Sequence, residues 1–434
     1  MKIFSNITAC LLLFAVLIGC NDFNQIKNST SGNKAREIEK WGENLPEDVR
    51  KPNDGPYTDR KMLANLGLNI FFKHSEKFSA DVNILKFSIE NYCQSLNKKD
   101  SDEIQLIWKN LDASYRNVVI SLHTIEAAPV GPYIANGRFL ADYTYSWPVV
   151  DRCAIDRSVR QYSLDTSYSP DSAFYSQRGL AAIEYLLYEG TLKSNCNSHA
   201  YPDLQIWNQQ LDQHKKQQRC AWALKMMDDV DQKAQTLKKS WDAQDGNYTA
   251  QFYNTQIYET TKEAVNAITH GLSNIEKLKD LRIGKPLGRH KDCEADRCSE
   301  DSEHYFSGYS FLAIESQLQT FKAIFTGSRD ISENAFGFDD MLEQAGNKEV
   351  SQKMLIALDR ALLTAKELKN QEIKLSTLIE NMNMEDCKKT TISSRLVPIC
   401  ALHSDVREVA YLFKTEVLTA LSLKSPPTHQ GDND

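Results

Sequence analysis

Hydrophobic residues recur along most of the chain at steps of three and four, which is the period of a helix buried along one face. The clearest stripe consists of Ile104, Trp108, Leu111, Tyr115, Val118, Leu122 and Ile125. Further stripes run from Leu204 to Trp241, from Ile314 to Phe325 and from Leu402 to Leu421, and residues 353–381 lack glycine and proline. No segment alternates apolar and polar residues long enough to indicate a sheet. The pattern predicts an all-α fold made of helix bundles.

The irregular stretches between the stripes indicate how the chain is divided. Residues 193–202 (KSNCNSHAYP) are polar and end in a proline, so we expect a connector between two helical domains there. The predicted domains span residues 58–195 and 200–425, and residues 426–434 form a short tail. Residues 153–177 also lack a helical stripe and are expected to be irregular.

The first twenty residues carry a targeting signal. Lys2 precedes a short apolar run over residues 9–18, which is the layout of an export signal over residues 1–19. The sequence Leu-Ile-Gly-Cys ending at Cys20 resembles the lipobox of bacterial lipoproteins, in which the cysteine takes a lipid that gives lasting membrane attachment. A plain secretory signal is the alternative. Residues 20–57 are then the lipidated cysteine and a flexible tether, interrupted by Pro46, Pro52 and Pro56.

Composition excludes some classes of protein. The 434 residues are 41% hydrophobic and 25% charged, which is ordinary for a globular chain. The formal net charge of −7 argues against a nucleic-acid binder. Only the N-terminal run approaches the apolar character of a membrane span, so a multi-span membrane protein is excluded. We expect the membrane contact to be the lipid anchor alone.

The cysteines that follow Cys20 are even in number, which suggests disulfides in an exported chain. Cys293–Cys298 would close a short loop, and Cys387–Cys400 would connect two late helices. The remaining four have three possible pairings, which the sequence leaves open; they are Cys93, Cys153, Cys196 and Cys220.

Four short segments, in this order and spacing, resemble the imelysin-like family of bacterial envelope proteins. They are the helix from Trp108 to Gly131-Pro132 that carries Glu126, the segment Ser146-Trp147-Pro148 followed by Ile155-Asp156, the segment Gly179-Leu-Ala-Ala-Ile-Glu184, and the segment Glu303-His-Tyr-Phe-Ser307-Gly-Tyr-Ser310. The resemblance covers residues 60–434. It implies two helical-bundle domains of related architecture, a secreted or lipid-anchored location, and roles in metallopeptidase activity or iron acquisition.

One departure from the family pattern bears on catalysis. The hallmark of the family is Gly-x-His-x-x-Glu; Gly179 and Glu184 match it, but Ala181 stands in place of the histidine. A metallopeptidase site needs several nitrogen or carboxylate ligands and an open position for water. The chain also lacks a His-Glu-x-x-His sequence. These facts weigh against peptidase activity and leave binding as the expected role.

Glu126 and Glu184 are the main candidate ligands for a metal. The alternatives for Glu184 are exposure to solvent or a hydrogen bond to a neighbouring loop. Carboxylates on facing helices build iron sites in bundles, so Glu184 is expected to face Glu126. His123 lies three residues before Glu126 on the same helix face and is a further candidate; an edge-of-core histidine is the alternative.

Three other elements of the resemblance have structural interpretations. Ser307 and Ser310 lie one turn apart at the start of a helix, where Ser307 is expected to be the helix cap, with Glu303 and Ser310 in solvent. The alternative is that Ser307 binds an anion or another polar ligand at that helix start. Trp147 and Pro148 are expected to cover the end of a bundle.

Together these features predict a lipid-anchored bacterial envelope protein that is a binding component in the acquisition of iron or another metal. The periplasmic face of the outer membrane is the expected location, because Asp22 stands one place later than in the inner-membrane retention signal. An imelysin-type metallopeptidase and an envelope scaffold without a small-molecule site are the alternatives. The sequence leaves the metal, the ligand and the partner open.

Overall fold

The computed structural model describes residues 51–98, 100–134, 140–254, 256–330, 334–388 and 397–425. The α-helices of its first part are α1 Asp59–Asn65, α2 Lys73–Ser95, α3 Ser101–Glu126, α4 Leu140–Thr144, α5 Arg152–Leu164, α6 Leu180–Tyr188 and α7 Asp203–Asn208. They are followed by α8 Asp212–Trp241, α9 Tyr248–Tyr253, α10 Thr261–Leu272, α11 Ile275–Lys277, α12 Ser310–Phe325 and α13 Phe338–Gln344. The last helices are α14 Lys348–Lys369, α15 Leu375–Asn381, α16 Glu385–Lys388, α17 Pro398–Tyr411 and α18 Leu418–Ala420.

Wider π-helical turns extend three of these helices, at Leu66–Phe72, Leu278–Gly284 and Leu412–Val417. Short 3₁₀ turns lie at Gly131–Tyr133, Pro170–Ser172, Tyr175–Gln177 and Ser299–Asp301. Within the described residues there is no strand, and one isolated antiparallel bridge joins Tyr145 to Gly179. The all-α prediction is therefore confirmed.

The hydrophobic stripes form the buried faces of the long helices. In α3, the stripe residues Leu111, Tyr115, Val118 and Leu122 are buried, and the Asp100 side chain caps the helix by accepting from the N–H groups of Asp102 and Glu103. A cap of this kind satisfies N–H groups that have no partner within the helix. The stripe from Ile314 to Phe325 lies in α12, which is buried along almost its whole length.

Two predictions about individual segments are wrong. The chain turns at Leu211, whose side chain is exposed, so the stripe from Leu204 to Trp241 forms two helices, α7 and α8. Residues 353–381, which lack glycine and proline, are mostly helical but are divided between α14 and α15, with Glu372 between them in a left-handed conformation (φ 52°). Much of the stretch 153–177, expected to be irregular, is the helix α5, capped by Asp151. In each case tertiary packing overrides the local pattern.

The packing of the long helices connects the two halves of the chain. Helix α2 packs against α3 and α8, and α6 also packs against α8. In the second half, α14 packs against α12 and α17. Helix α3 also packs against α12, and the described residues from Gly55 onward form one compact unit. The proposed division into two domains at residues 193–202 is therefore not confirmed.

Among the described residues there are four disulfides. The predicted pairs Cys293–Cys298 and Cys387–Cys400 are both present, and the second connects α16 to α17. The open pairings resolve as Cys93–Cys220 and Cys153–Cys196. Cys93–Cys220 joins α2 to α8 across 127 residues of sequence, and Cys153–Cys196 holds the segment before α7 against α5. These crosslinks agree with folding in an oxidising compartment.

The predicted signal peptide, Cys20, most of the tether and the tail lie outside the described residues. In the part of the chain that the structure describes, no helix is both long enough and apolar enough to cross a membrane.

His403 in α17 is expected to make the protein sensitive to acid. Burial, helped by the nearby Arg289 and Arg407, lowers the pKa of His403 to about 3. Arg289 Nη1 donates a hydrogen bond to His403 Nδ1 at 3.1 Å, which requires a neutral ring. An unfolded histidine has an ordinary pKa of about 6.5, so the stability present above that pH is lost as the pH falls, at about 1 kcal/mol per unit.

We expect His403→Gln, which keeps a hydrogen-bond acceptor, to remove this part of the pH dependence. Chemical denaturation at a series of pH values between about 6.5 and 4 measures it. The control is His214→Gln, which makes the same chemical change at an exposed position. Parallel curves for the parent and His403→Gln would contradict the assignment.

Candidate metal centre

Buried polar side chains from distant parts of the chain meet where α3 packs against α12. His123 and Glu126 lie on the last turn of α3, and Glu184 lies on α6. Arg282 lies in the π-helical turn after α11, and Glu303 and His304 lie in the loop before α12. His304 has a left-handed backbone (φ 53°), which is uncommon for a residue other than glycine. We call this set of six the centre cluster.

Three side chains of the centre cluster converge on one point. His123 Nε2 lies 2.8 Å from His304 Nε2 and 3.9 Å from Glu303 Oε1. Their potential ligand atoms all lie within 4.8 Å of one another, and each side chain is at most 2% exposed. Two metal–ligand bonds of about 2.0–2.2 Å nearly span such a distance. The donor set of two imidazoles and one carboxylate therefore fits a transition metal.

A different glutamate contacts the Nδ1 atom of each histidine in this trio. His304 Nδ1 lies 3.0 Å from Glu184 Oε2, and His123 Nδ1 lies 3.3 Å from Glu126 Oε2. The Nδ1 atom of each ring is thus engaged by a carboxylate, and its Nε2 atom faces the other ring. Metal-binding histidines characteristically have this carboxylate partner, which fixes the orientation and tautomer of the ring.

Arg282 supplies the buried positive charge beside these carboxylates. Its Nε donates to Glu303 Oε2 at 2.5 Å, and its Nη2 donates to Glu126 Oε2 at 2.7 Å. The Arg282 side chain is fully buried, and the half-buried ring of Trp147 covers its guanidinium group at 5.5 Å. Lys277 also lies 5.5 Å from the Trp147 ring centre. The peptide bond between Trp147 and Pro148 is cis.

The charges of the centre cluster follow from these contacts. Burial raises the pKa of Glu126, Glu184 and Glu303, but nearby cations outweigh it and keep all three pKa values below the ordinary range. Lys277 and Arg282 act on Glu126, His304 acts on Glu184, and Arg282 acts on Glu303.

The surroundings shift the pKa values of the two histidines in opposite directions. Burial lowers the pKa of His304, but Glu184 more than compensates and raises it, whereas burial dominates at His123 and lowers its pKa. All the ring contacts are satisfied when His304 donates from Nδ1 to Glu184 and from Nε2 to His123, while His123 donates from Nδ1 to Glu126. In this arrangement one proton lies between the two Nε2 atoms.

Ser307 holds Glu184 in place, and its predicted role as a helix cap is wrong. Its N–H group and its hydroxyl both donate to Glu184 Oε1, at 2.9 and 2.8 Å. Helix α12 begins at Ser310, its N-cap position is Tyr309, and no side chain caps it. Glu303 and Ser310 are also buried, where solvent exposure was expected, and the Ser310 hydroxyl donates to the Glu303 carbonyl. The loop before α12 is thus tied to the centre cluster at both ends.

Gly179 allows α6 to begin beside the segment 143–145. Its backbone (φ 80°, ψ −173°) lies in a region that only glycine occupies readily. A Cβ atom there would lie 2.7 Å from the carbonyl oxygen of Thr144 and 2.8 Å from that of Tyr143. The close approach forms the bridge to Tyr145 and positions the helix that carries Glu184.

The structure brings His123, Glu126, Glu184 and Ser307 together, all of which the sequence identified as candidates. Glu126 contacts Nδ1 of His123, and Glu184 contacts Nδ1 of His304. Both carboxylates therefore lie on the far side of the rings from the Nε2 atoms that converge. Sequence reasoning missed His304 and Arg282, and it treated Glu303 as exposed. The adjacent pair Glu303-His304, within a segment that resembles the family, was the signal that could have identified His304. The sequence around Arg282 carries no such signal.

The structure defines an all-α helical-bundle protein with a buried cluster of histidines, glutamates and an arginine. The chain belongs to the imelysin family, whose sequence pattern matches residues 74–389. Among curated proteins, none matches this sequence.

Two solved structures share the fold. An imelysin-like protein from Psychrobacter arcticum 273-4 has a TM-score of 0.58 at 13% identity, covering 85% of this chain and 97% of its own. An iron-regulated protein A precursor from Parabacteroides distasonis ATCC 8503 has a TM-score of 0.58 at 14% identity, covering 86% of this chain and 99% of its own. At this identity the likeness establishes the fold alone.

Proposed function

We propose that this protein binds a transition-metal ion at His123, Glu303 and His304. The biological role that fits is a binding component in the acquisition of iron or another metal. Lipid attachment at Cys20 would anchor it to the bacterial envelope, on the periplasmic face of the outer membrane. The proposal rests on the buried cluster for the metal, and on the N-terminal sequence for the location.

The observation that carries the proposal is the carboxylate in contact with the Nδ1 atom of each histidine. Glu184 and Glu126 engage the Nδ1 atoms, so the Nε2 atoms of His304 and His123 face each other with a proton between them. A metal ion that displaces this proton would find both imidazoles already oriented and neutral. A buried polar network serving stability alone has no need for two imidazole nitrogens that face each other.

Iron is the metal we favour. Two histidines and one carboxylate with open positions are the ligand set of many non-haem iron proteins, although imidazole also suits zinc, copper and nickel. The solved relative from Parabacteroides distasonis is described as iron-regulated.

Binding fits the site better than peptidase activity. A catalytic metal must keep a position open for water and admit its substrate. Here the three candidate ligands are at most 2% exposed, and the position of the family's motif histidine is Ala181. A peptide bond cannot reach the trio without an opening of the fold.

Metal titration of the purified protein tests the proposal. We expect His123→Ala and His304→Ala each to weaken binding of ferrous iron or zinc by more than about 100-fold. Glu184→Gln should weaken it by about 10- to 100-fold, which is the usual effect of removing a carboxylate behind a ligand.

The exposed His214 gives the matched control, since His214→Ala should bind like the parent. Parent-like binding by both histidine variants would show that the trio is not the site. Absence of binding for every metal would favour the scaffold role. Chelator-sensitive cleavage of an unfolded protein substrate would favour the peptidase role.

A further inference from the structure

Tyr145 places a phenol oxygen among the three converging ligand atoms. Its Oη lies 3.0 Å from Glu303 Oε1 and 3.5 Å from His304 Nε2, the two atoms that face the proposed metal. Its ring stacks on His304 and stands edge-on to His123, with centroids 5.7 Å apart in both cases. The side chain is buried, and Gly179 fixes its backbone through the bridge.

We propose that Tyr145 is a fourth ligand of the metal, and that the centre therefore takes ferric iron in preference to divalent ions. This inference rests on the proposed metal-binding function and specifies the metal. On binding, two protons are released to solvent, one from the phenol and one from between the two histidine Nε2 atoms, and the phenolate oxygen and both nitrogens bond to the iron. No electron is transferred, because the iron arrives in the ferric state.

The chemistry of the donor supports this preference. A phenolate is a charged oxygen ligand and serves as the axial ligand of iron in some haem proteins. Bound metal ions strongly favour the deprotonated form of the ligands they contact. A trivalent ion does so more strongly than a divalent ion of similar size, because its electrostatic attraction to the oxygen is greater.

Tyr115 is the appropriate comparison. Its Oη lies 3.2 Å from Glu184 Oε2 and 3.5 Å from His304 Nδ1, the ring nitrogen that faces away from the trio. Both tyrosines are buried beside His304, and only Tyr145 contacts its Nε2 atom. Tyr115→Phe therefore controls for the loss of a buried hydroxyl next to the centre.

The experiment loads the full chain with ferric citrate and, separately, with zinc. A bond between phenolate and ferric iron absorbs visible light through charge transfer from ring to metal, whereas zinc has a filled d shell and gives no such band. We expect the ferric protein to be coloured, with tyrosinate ring modes in its resonance Raman spectrum. The colour should persist in Tyr115→Phe and disappear in Tyr145→Phe.

Affinities complete the test. Tyr145→Phe should weaken ferric binding by at least about tenfold more than it weakens zinc binding, since the phenol is a ligand only for the ferric ion and a hydrogen-bond partner of Glu303 in the zinc form. A colourless ferric protein that still binds zinc at the trio would overturn this inference while the proposed function stands. Colour that survives in Tyr145→Phe would overturn it as well. Failure of the parent to bind either metal would overturn both.

Discussion

Arg282→Met is expected to lower the free energy of unfolding by about 3–5 kcal/mol. The guanidinium group bridges Glu126 and Glu303, and all three side chains are buried. Methionine fills a similar volume but leaves two carboxylates without their cation, and removing one partner of a buried ion pair is costly for that reason. Urea denaturation of metal-free protein, with chelator present, measures the change.

Two further variants separate this cause from a simple loss of packing. Arg407 is exposed, so Arg407→Met should change the stability by less than about 0.5 kcal/mol. Adding Glu126→Gln to Arg282→Met removes one of the uncompensated charges and should recover part of the loss. If the double variant is less stable than Arg282→Met by the full cost of Glu126→Gln alone, the two side chains are not coupled.

Gly179→Ala is expected to cost about 2–5 kcal/mol. Alanine would have to adopt a backbone conformation that only glycine occupies readily, and its Cβ would overlap the carbonyl oxygens of Tyr143 and Thr144. Both neighbours are backbone atoms, so neither can rotate away. The segment 143–145 or the start of α6 must move instead, and either movement displaces Tyr145 or Glu184 from the centre cluster.

Thermal and urea denaturation give the stability of this variant, and metal titration shows whether the centre survives. Gly190 provides the matched control because a Cβ there would meet nothing within 4 Å. Gly190→Ala should therefore stay within about 0.5 kcal/mol of the parent. Equal stabilities for the two glycine variants would show that the close approach at Gly179 is relieved cheaply.

The helices were predictable because burial along one face imposes a period that the sequence displays. The stripe in α3 predicted the helix to within a few residues, and so did the stripe in α12. The breaks at Leu211 and Glu372 were not predictable, since neither carries a glycine or proline signal. What determines them is the packing of the flanking helices against distant parts of the chain.

The candidate site was predictable only where its members share an element or a segment that resembles the family. His123 and Glu126 lie one turn apart on α3, and Glu184 closes the family's motif. Arg282 lies far from all of them in sequence, in a stretch of mixed charged and apolar residues with no periodic signal. The interpretation of Ser307 as a cap failed because the helix begins three residues later, at Ser310, and the Ser307 hydroxyl donates to Glu184 on another helix.

The complete burial of His123, Glu303 and His304 has a kinetic consequence. Since each of these side chains is at most 2% exposed among the described residues, we expect an ion to enter or leave only when part of the fold opens. The rate of exchange at the proposed centre would then be governed by how often that opening occurs, and it could be slow even for an ion held with modest affinity. Dissociation half-lives and binding constants measured on this protein should accordingly vary independently of each other.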